Sequence, residues 1–127
     1  MKGVLLDTHV LLWWLADDAR LGARARDVIR DGRNLVYVSA VSAWEISIKK
    51  ALGKLDAPDD LSATIGAERF IELPITIQHG ELAGQLPPIH RDPFDRMLIA
   101  QAQVEGLTLV TTDPVAEKYG ADIIAAG

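Results

Sequence analysis

Short apolar runs that end abruptly in a hydroxyl or a carboxylate constrain this chain more than any other feature. GVLL at 3–6 stops at Asp7, LVYVS at 35–39 stops at a serine, and LTLVTT at 107–112 stops at Asp113. Runs this short, β-branched and bounded by turn formers read as strands, and GVLL suits a strand buried on both faces. Between them lie stretches with helical spacing. HVLLWWLA is a short helix stopped by Asp17 and Asp18, and 22–31 is an amphipathic helix ended by Gly32. Residues 39–53 form a helix closed by Gly53, with further helices over 59–68, 76–85 and 94–106. The last of these places Phe94, Met97, Leu98 and Ala102 at apolar spacing. FIELPI is another short strand, PPIHRDP is a loop with three prolines, and DIIAAG at 122–127 is left unassigned. Strands alternating with helices predict parallel pairing in an α/β fold, with 1–127 as a single domain.

Composition narrows the chemistry. The absence of cysteine excludes disulfides, thiolate metal sites and a cysteine nucleophile, and fits a reducing compartment. The N-terminal stretch MKGVLLDTHVLLWWLADD is interrupted by Asp7 and His9 and lacks a small-residue cleavage site. No run reaches the roughly 18 apolar residues of a membrane span. The expectation is a cytoplasmic protein with no membrane association and nothing to remove. The net charge of −5 argues at first against a nucleic-acid partner. A carboxylate metal site would itself account for several of those charges, however. The cations are also clustered: Arg20, Arg24, Arg26, Arg30 and Arg33, then Lys49, Lys50 and Lys54, which form either a phosphate-facing patch or a solvated helix face.

Four acids stand at the edges of apolar segments. In a parallel sheet, ligands bind at the carboxyl ends of the strands. Asp7 follows one strand and Asp113 another, so neighbouring strands would deliver both carboxylates to one edge. Glu45 lies in the first half of the helix after LVYVS, and Asp95 opens the helix after the proline loop. Each acid also has a capping reading. Asp7 is a candidate N-cap, and Ser42-Ala43-Trp44-Glu45 matches the S-x-x-E capping box. Asp92-Pro93 reads as N-cap and N1 with Asp95 in the first turn, and Asp113-Pro114 repeats the pattern. Gathered carboxylates repel and raise one another's pKa, a cost that a divalent cation offsets. Oxygen-only ligands favour Mg²⁺ or Mn²⁺ over zinc.

The blocks VLLDTHVLLW, SAVSAWEISIKKALGKL, HRDPFDRMLIAQA and LTLVTTD, in this order and spacing, resemble the PIN domain and, more narrowly, the VapC-type toxins of toxin–antitoxin pairs. The resemblance runs from about residue 3 to residue 125. It implies a PIN-like central parallel sheet flanked by helices and a metal-dependent endoribonuclease. The family's acidic quartet falls on Asp7, Glu45, Asp95 and Asp113, and its hydroxyl before the last acid on Thr111. It further implies a homodimer and a small antitoxin protein whose tail enters the site. The expected reaction is hydrolysis of an RNA phosphodiester by metal-activated water, leaving a 5′-phosphate and a 3′-hydroxyl. Asp7, Asp95 and Asp113 are the expected main ligands. Glu45 completes the cluster or orients the water, and Thr111 supports a carboxylate.

Other signals carry less. Trp13, Trp14 and Trp44 are either base-stacking platforms or packing groups. Arg91 and Arg96 flank Asp95 as phosphate contacts or surface ion pairs. His90-Arg91-Asp92 copies a kinase motif without its Gly-rich loop, and His9, His79 and His90 lack zinc-ligand spacing. Ser39 and Ser42 lack the glycines of a nucleophile elbow. A haloacid-dehalogenase-type phosphatase would need a second Asp where His9 stands. A non-catalytic module binding RNA or a protein is the other alternative, and it would work without metal.

Overall fold

The structure, a computed structural model, describes residues 3–127. In chain order the elements are β1 (Gly3–Leu6), α1 (Thr8–Leu15), α2 (Ala23–Arg30), β2 (Leu35–Ser39), α3 (Ala40–Ala51) and α4 (Leu61–Ala67). There follow β3 (Ile71–Leu73), α5 (Ile77–Gln85), α6 (Pro93–Glu105), β4 (Thr108–Thr111), a 3₁₀ helix (Pro114–Tyr119) and β5 (Ile123–Ala125). The five strands form one sheet in the order β3-β2-β1-β4-β5, every pair parallel. This is the expected parallel sheet flanked by helices.

Alternation along the strands divides the core in two. Val4 and Leu6 of β1, Val36 and Val38 of β2 and Val110 of β4 pack with Val10, Leu11, Ala25 and Ile29 from α1 and α2. Leu5 and Leu109 point to the opposite face, against Leu98, Ile99 and Ala102 of α6. Leu5, Leu6, Leu11, Leu98 and Ile99 are fully buried, and each such side chain contributes roughly 1.5–3 kcal/mol relative to exposure.

Local sequence sets the helix ends. Asp92 accepts from Phe94 N and Asp95 N and Pro93 takes the first turn, so α6 starts where the proline loop stops. It ends at Gly106, whose φ of 66° places it in the left-handed region, and Leu107 N returns to Ala102 O at 2.8 Å. Because α6 feeds β4 at the amino edge of the sheet, its own N-terminus, with Asp95, lies at the carboxyl edge.

One expectation needs correction, and two stretches gain an assignment. The S-x-x-E match at Ser42–Glu45 is not a cap: Ser39 caps α3 by accepting from Val41 N, and Ser42 and Glu45 are buried within the helix. The unassigned tail contains β5, whose IIA pairs with β4; three residues after a glycine turn are too few for periodicity to register. The stretch after Asp113 is a 3₁₀ helix with Asp113 as N-cap. Among the described residues no helix is long and apolar enough to cross a membrane.

Candidate functional site

Strand order brings the distant acids together. β1 and β4 are hydrogen-bonded neighbours, so Asp7 and Asp113 leave the sheet side by side. Asp7 N donates to Val110 O at 3.0 Å, which fixes the chain as it exits β1. Asp7, Asp95, Thr111 and Asp113 line one pocket together with His90, over a floor of Leu98, Ile99, Leu109 and Ala116. Two of the acids both cap a helix and line the pocket. Asp7 Oδ1 accepts from Val10 N at 2.9 Å, and Asp113 Oδ1 accepts from Val115 N at 2.9 Å. In each case the second carboxylate oxygen has a different partner, Thr111 for Asp7 and His90 for Asp113.

Thr111 joins the two. Its hydroxyl donates to Asp7 Oδ2 at 2.5 Å and accepts from Asp113 N at 3.0 Å. Thr112 N adds a longer contact to Asp7 Oδ2 at 3.3 Å.

Glu45 stands at the flank of the pocket and is not part of its lining. Thr8 Oγ1 donates to Glu45 Oε1 at 2.7 Å and pairs with Ser42 Oγ at 3.0 Å, while Lys49 Nζ lies 2.5 Å from Glu45 Oε2. The Glu45 charge nevertheless contributes to raising the Asp95 pKa, so the two acids face a common region. Lys49 is a cation held at this flank: Glu45 first, with Asp92 and Asp95 adding, keeps its ammonium above the usual lysine value.

The pocket disfavours negative charge. Burial pushes the Asp7 carboxyl above its ordinary value, opposed in part by the hydrogen bonds from Thr111, Val10 and Thr112. Burial and then the Asp92 charge push Asp95 up to about 6, with His90 pulling the other way and Asp7 and Glu45 adding to the rise. Carboxylates held this way in a cleft need a proton or a cation. The carboxylates fit a hard cation: an oxygen of Asp95 and one of Asp113 lie within 4.8 Å of each other beside His90, with Asp7 on the adjoining wall.

His90 is the residue that sequence reasoning missed. Spacing tests for zinc passed over it because its neighbours in the site are Asp95 and Asp113 and not other histidines or cysteines. Its Nε2 lies 3.0 Å from Asp95 Oδ2 and 3.0 Å from Asp113 Oδ2. The signal available was its place, five residues before Asp95, in a loop tied to an acid already suspected.

Among the described residues Arg96 forms no ion pair. Its guanidinium donates to the carbonyls of Ala83, Leu86, Pro87 and His90. Three of the five clustered arginines are tied to acids, Arg20 to Asp18, Arg26 to Asp17 and Arg33 to Asp31, which favours the solvated-face reading for them. Trp13 and Trp14 pack against the core, while Trp44 is 59% exposed with its edge on Phe94. His79 is buried, donating or accepting at Glu105 and accepting from Thr76 N, a structural role at the start of α5.

A parallel five-stranded sheet with an acid-lined pocket at its carboxyl edge defines a class of α/β protein, and comparison with known proteins narrows it. The PIN domain family model matches residues 4–122. Ribonuclease VapC22 of Mycobacterium tuberculosis is 34% identical over 121 residues, covering 89% of this chain and 88% of that protein. Two solved structures share the fold. VapBC2 from Rickettsia felis, bound to a DNA fragment from its promoter, superposes with a TM-score of 0.73 at 12% identity, covering 99% of this chain and 100% of that one. DNA-bound VapBC from Salmonella typhimurium gives 0.70 at 21% identity, covering 98% of each. The chain belongs to the PIN domain family, to its VapC type.

Proposed function

We propose that this protein is a metal-dependent endoribonuclease acting in the cytoplasm as the toxin of a toxin–antitoxin pair. The observation that carries the reading is the convergence of Asp7, Asp95 and Asp113 on one pocket whose burial penalises uncompensated carboxylates. The name of the 34% identical relative, a ribonuclease, supports the reaction class. The solved toxin–antitoxin complexes that share the fold support a small antitoxin partner. We further take the working form to be a homodimer.

Asp7, Asp95 and Asp113 would hold Mg²⁺ or Mn²⁺, with Glu45 at the flank. A divalent cation so held supplies an acidified water and charge stabilisation for an in-line displacement at phosphorus. The residues of the chain do the rest. Thr111 fixes the Asp7 carboxylate, and the cap bonds from Val10 and Val115 aim one oxygen each of Asp7 and Asp113 away from the pocket. Leu98, Ile99 and Leu109 keep the floor dry, which strengthens every charge interaction above it. Glu45, fixed by Thr8, is placed to orient a water at the pocket's edge.

The test uses purified protein with total cellular RNA, with Mg²⁺ or Mn²⁺ and then with a chelator, read by mapping of new 5′ ends. Metal-dependent cleavage that disappears in Asp7→Asn, with an unchanged circular dichroism spectrum, is expected. Undiminished cleavage by pure Asp7→Asn protein, or activity indifferent to chelation, sinks the assignment, and RNA binding without cleavage under any metal condition revives a binding-only module.

A further inference from the structure

His90 is held with unusual completeness for a residue in a proline-rich loop. Its backbone N donates to Tyr119 Oη at 2.7 Å, and that hydroxyl donates onward to Pro87 O at 2.8 Å. Its carbonyl accepts from Arg96 at 3.2 Å. Its ring Nδ1 accepts from Asp92 N at 3.2 Å. Arg96 follows Asp95 directly on α6, and Tyr119 ends the 3₁₀ helix that Asp113 begins. The two elements that carry the carboxylates are therefore the two that hold the histidine.

The ring's orientation has a chemical consequence. Neutral imidazole carries one N–H and one lone pair. With the Nδ1 lone pair engaged by Asp92 N–H, the hydrogen resides on Nε2, the atom that lies 3.0 Å from both Asp95 Oδ2 and Asp113 Oδ2. Metal ligation through Nε2 would need the opposite tautomer, which sets an Nδ1–H against the Asp92 N–H, donor facing donor.

We propose that His90 is a positioning residue of the metal site: its Nε2–H donates to Asp113 Oδ2 while Asp95 Oδ2 packs 3.0 Å from the same nitrogen, so the ring sets the spacing of the two carboxylates as a hydrogen-bond donor and not as a ligand. This deepens the nuclease reading and rests on it. Two carboxylates on different elements repel when no cation is present, and nothing else among the described contacts bridges them. Nε2 stands between them, hydrogen-bonded to Asp113 Oδ2 and 3.0 Å from Asp95 Oδ2, and so keeps the two carboxylates at one place in the absence of a cation. Outer-shell donors of this kind typically affect metal affinity by roughly ten- to a hundredfold.

The experiment is an Mn²⁺ titration of the full chain followed by electron paramagnetic resonance, with wild type, His90→Ala and His90→Gln. The glutamine amide can place an N–H near the Nε2 position, and alanine cannot. The expected result is Mn²⁺ affinity lowered about ten- to a hundredfold in His90→Ala and largely restored in His90→Gln. The expected spin-echo modulation of the bound wild-type ion contains no coupling from a directly coordinated imidazole nitrogen. Unchanged or tighter binding in His90→Ala overturns the proposal, as does failure of glutamine to restore what alanine loses. Imidazole coupling overturns it in favour of a ligand role. Failure of the wild type itself to bind Mn²⁺ overturns the nuclease reading and this inference with it, and is distinguishable from a defect confined to the variants. Circular dichroism melting of each variant separates a site defect from unfolding.

Discussion

Thr111 donates its hydroxyl to Asp7 across 104 residues of sequence, and the two side chains are buried together at the carboxyl edge of β1 and β4. The same hydroxyl accepts the backbone N–H of Asp113, so one threonine sets the positions of two acids. Thr111→Val keeps the shape and removes both bonds. It also leaves Asp7 with one donor fewer against the burial that already raises its pKa. Ribonuclease activity is expected to fall roughly ten- to a hundredfold, with Thr111→Ser retaining most of it. Stability should drop by about 1–2 kcal/mol in urea unfolding, because Asp113 N loses its partner. Wild-type activity in Thr111→Val would reduce the threonine to an ordinary strand residue.

Asp95 carries the clearest pH signature. Its folded pKa of about 6 lies above the unfolded value of 3.8, so the folded chain holds that proton more tightly. Its contribution to the stability of the metal-free protein is therefore fully present below about pH 4 and is lost as pH rises through about 6. Taken at face value the shift is worth about 3 kcal/mol. Solvent reaches the carboxylate, which is 37% exposed, and screening reduces this to roughly 1 kcal/mol. Asp95→Asn should remove the slope, so the metal-free variant melts higher than wild type at pH 7.5 while being inactive. Melting temperatures from pH 4 to 8 in chelator measure it. Parallel curves for the two proteins would show that Asp95 is not strained by its surroundings.

The strands that frame the site were readable because β-branched runs bounded by polar residues leave few alternatives, and the acids were readable because parallel sheets put strand ends on one edge. Capping logic succeeded for Asp92 and Asp113 and failed for Ser42–Glu45, where the pattern fits a helix start that the real cap, Ser39, had already made three residues earlier. His90 was not legible: its role depends on an Asp92 N–H and a Tyr119 hydroxyl meeting it in space, and neither leaves a periodic trace. The carbonyl contacts of Arg96 were not legible for the same reason, since a surface arginine and one that satisfies four carbonyls look alike in sequence.

Arg96 supports the loop from Pro87 to Asp92 through backbone carbonyls alone. One Arg96 nitrogen donates to Ala83 O and Leu86 O at 2.7 Å each, and the other to Pro87 O and His90 O. A planar guanidinium spans these acceptors; an ammonium with three donors at one point does not. Arg96→Lys keeps the charge, and is expected to cost about 1–3 kcal/mol and to expose the loop to proteolysis. Limited digestion followed by mass spectrometry should place new cuts within 86–92. A digestion pattern identical to wild type would mean that Tyr119 holds the loop unaided.

Glu45 and Lys49 form a pair whose halves are unequally placed: the Glu45 side chain is 5% exposed and the Lys49 side chain 33%. Removing the cation strands a buried carboxylate with only Thr8 to satisfy it, whereas neutralising both removes the charge and its need together. Lys49→Met alone should therefore destabilise by roughly 2–3 kcal/mol, less than for a fully buried pair because solvent reaches the ammonium. The double variant Lys49→Met/Glu45→Gln should be more stable than Lys49→Met, since a glutamine amide can still accept from Thr8. Urea unfolding of the four proteins in a double-mutant cycle gives the coupling directly. A coupling near zero would mean that Lys49 merely lies over Glu45. A large coupling combined with full cleavage by Lys49→Met would make the lysine a structural counter-ion, and weakened RNA binding in the same variant would place it on the substrate's phosphates.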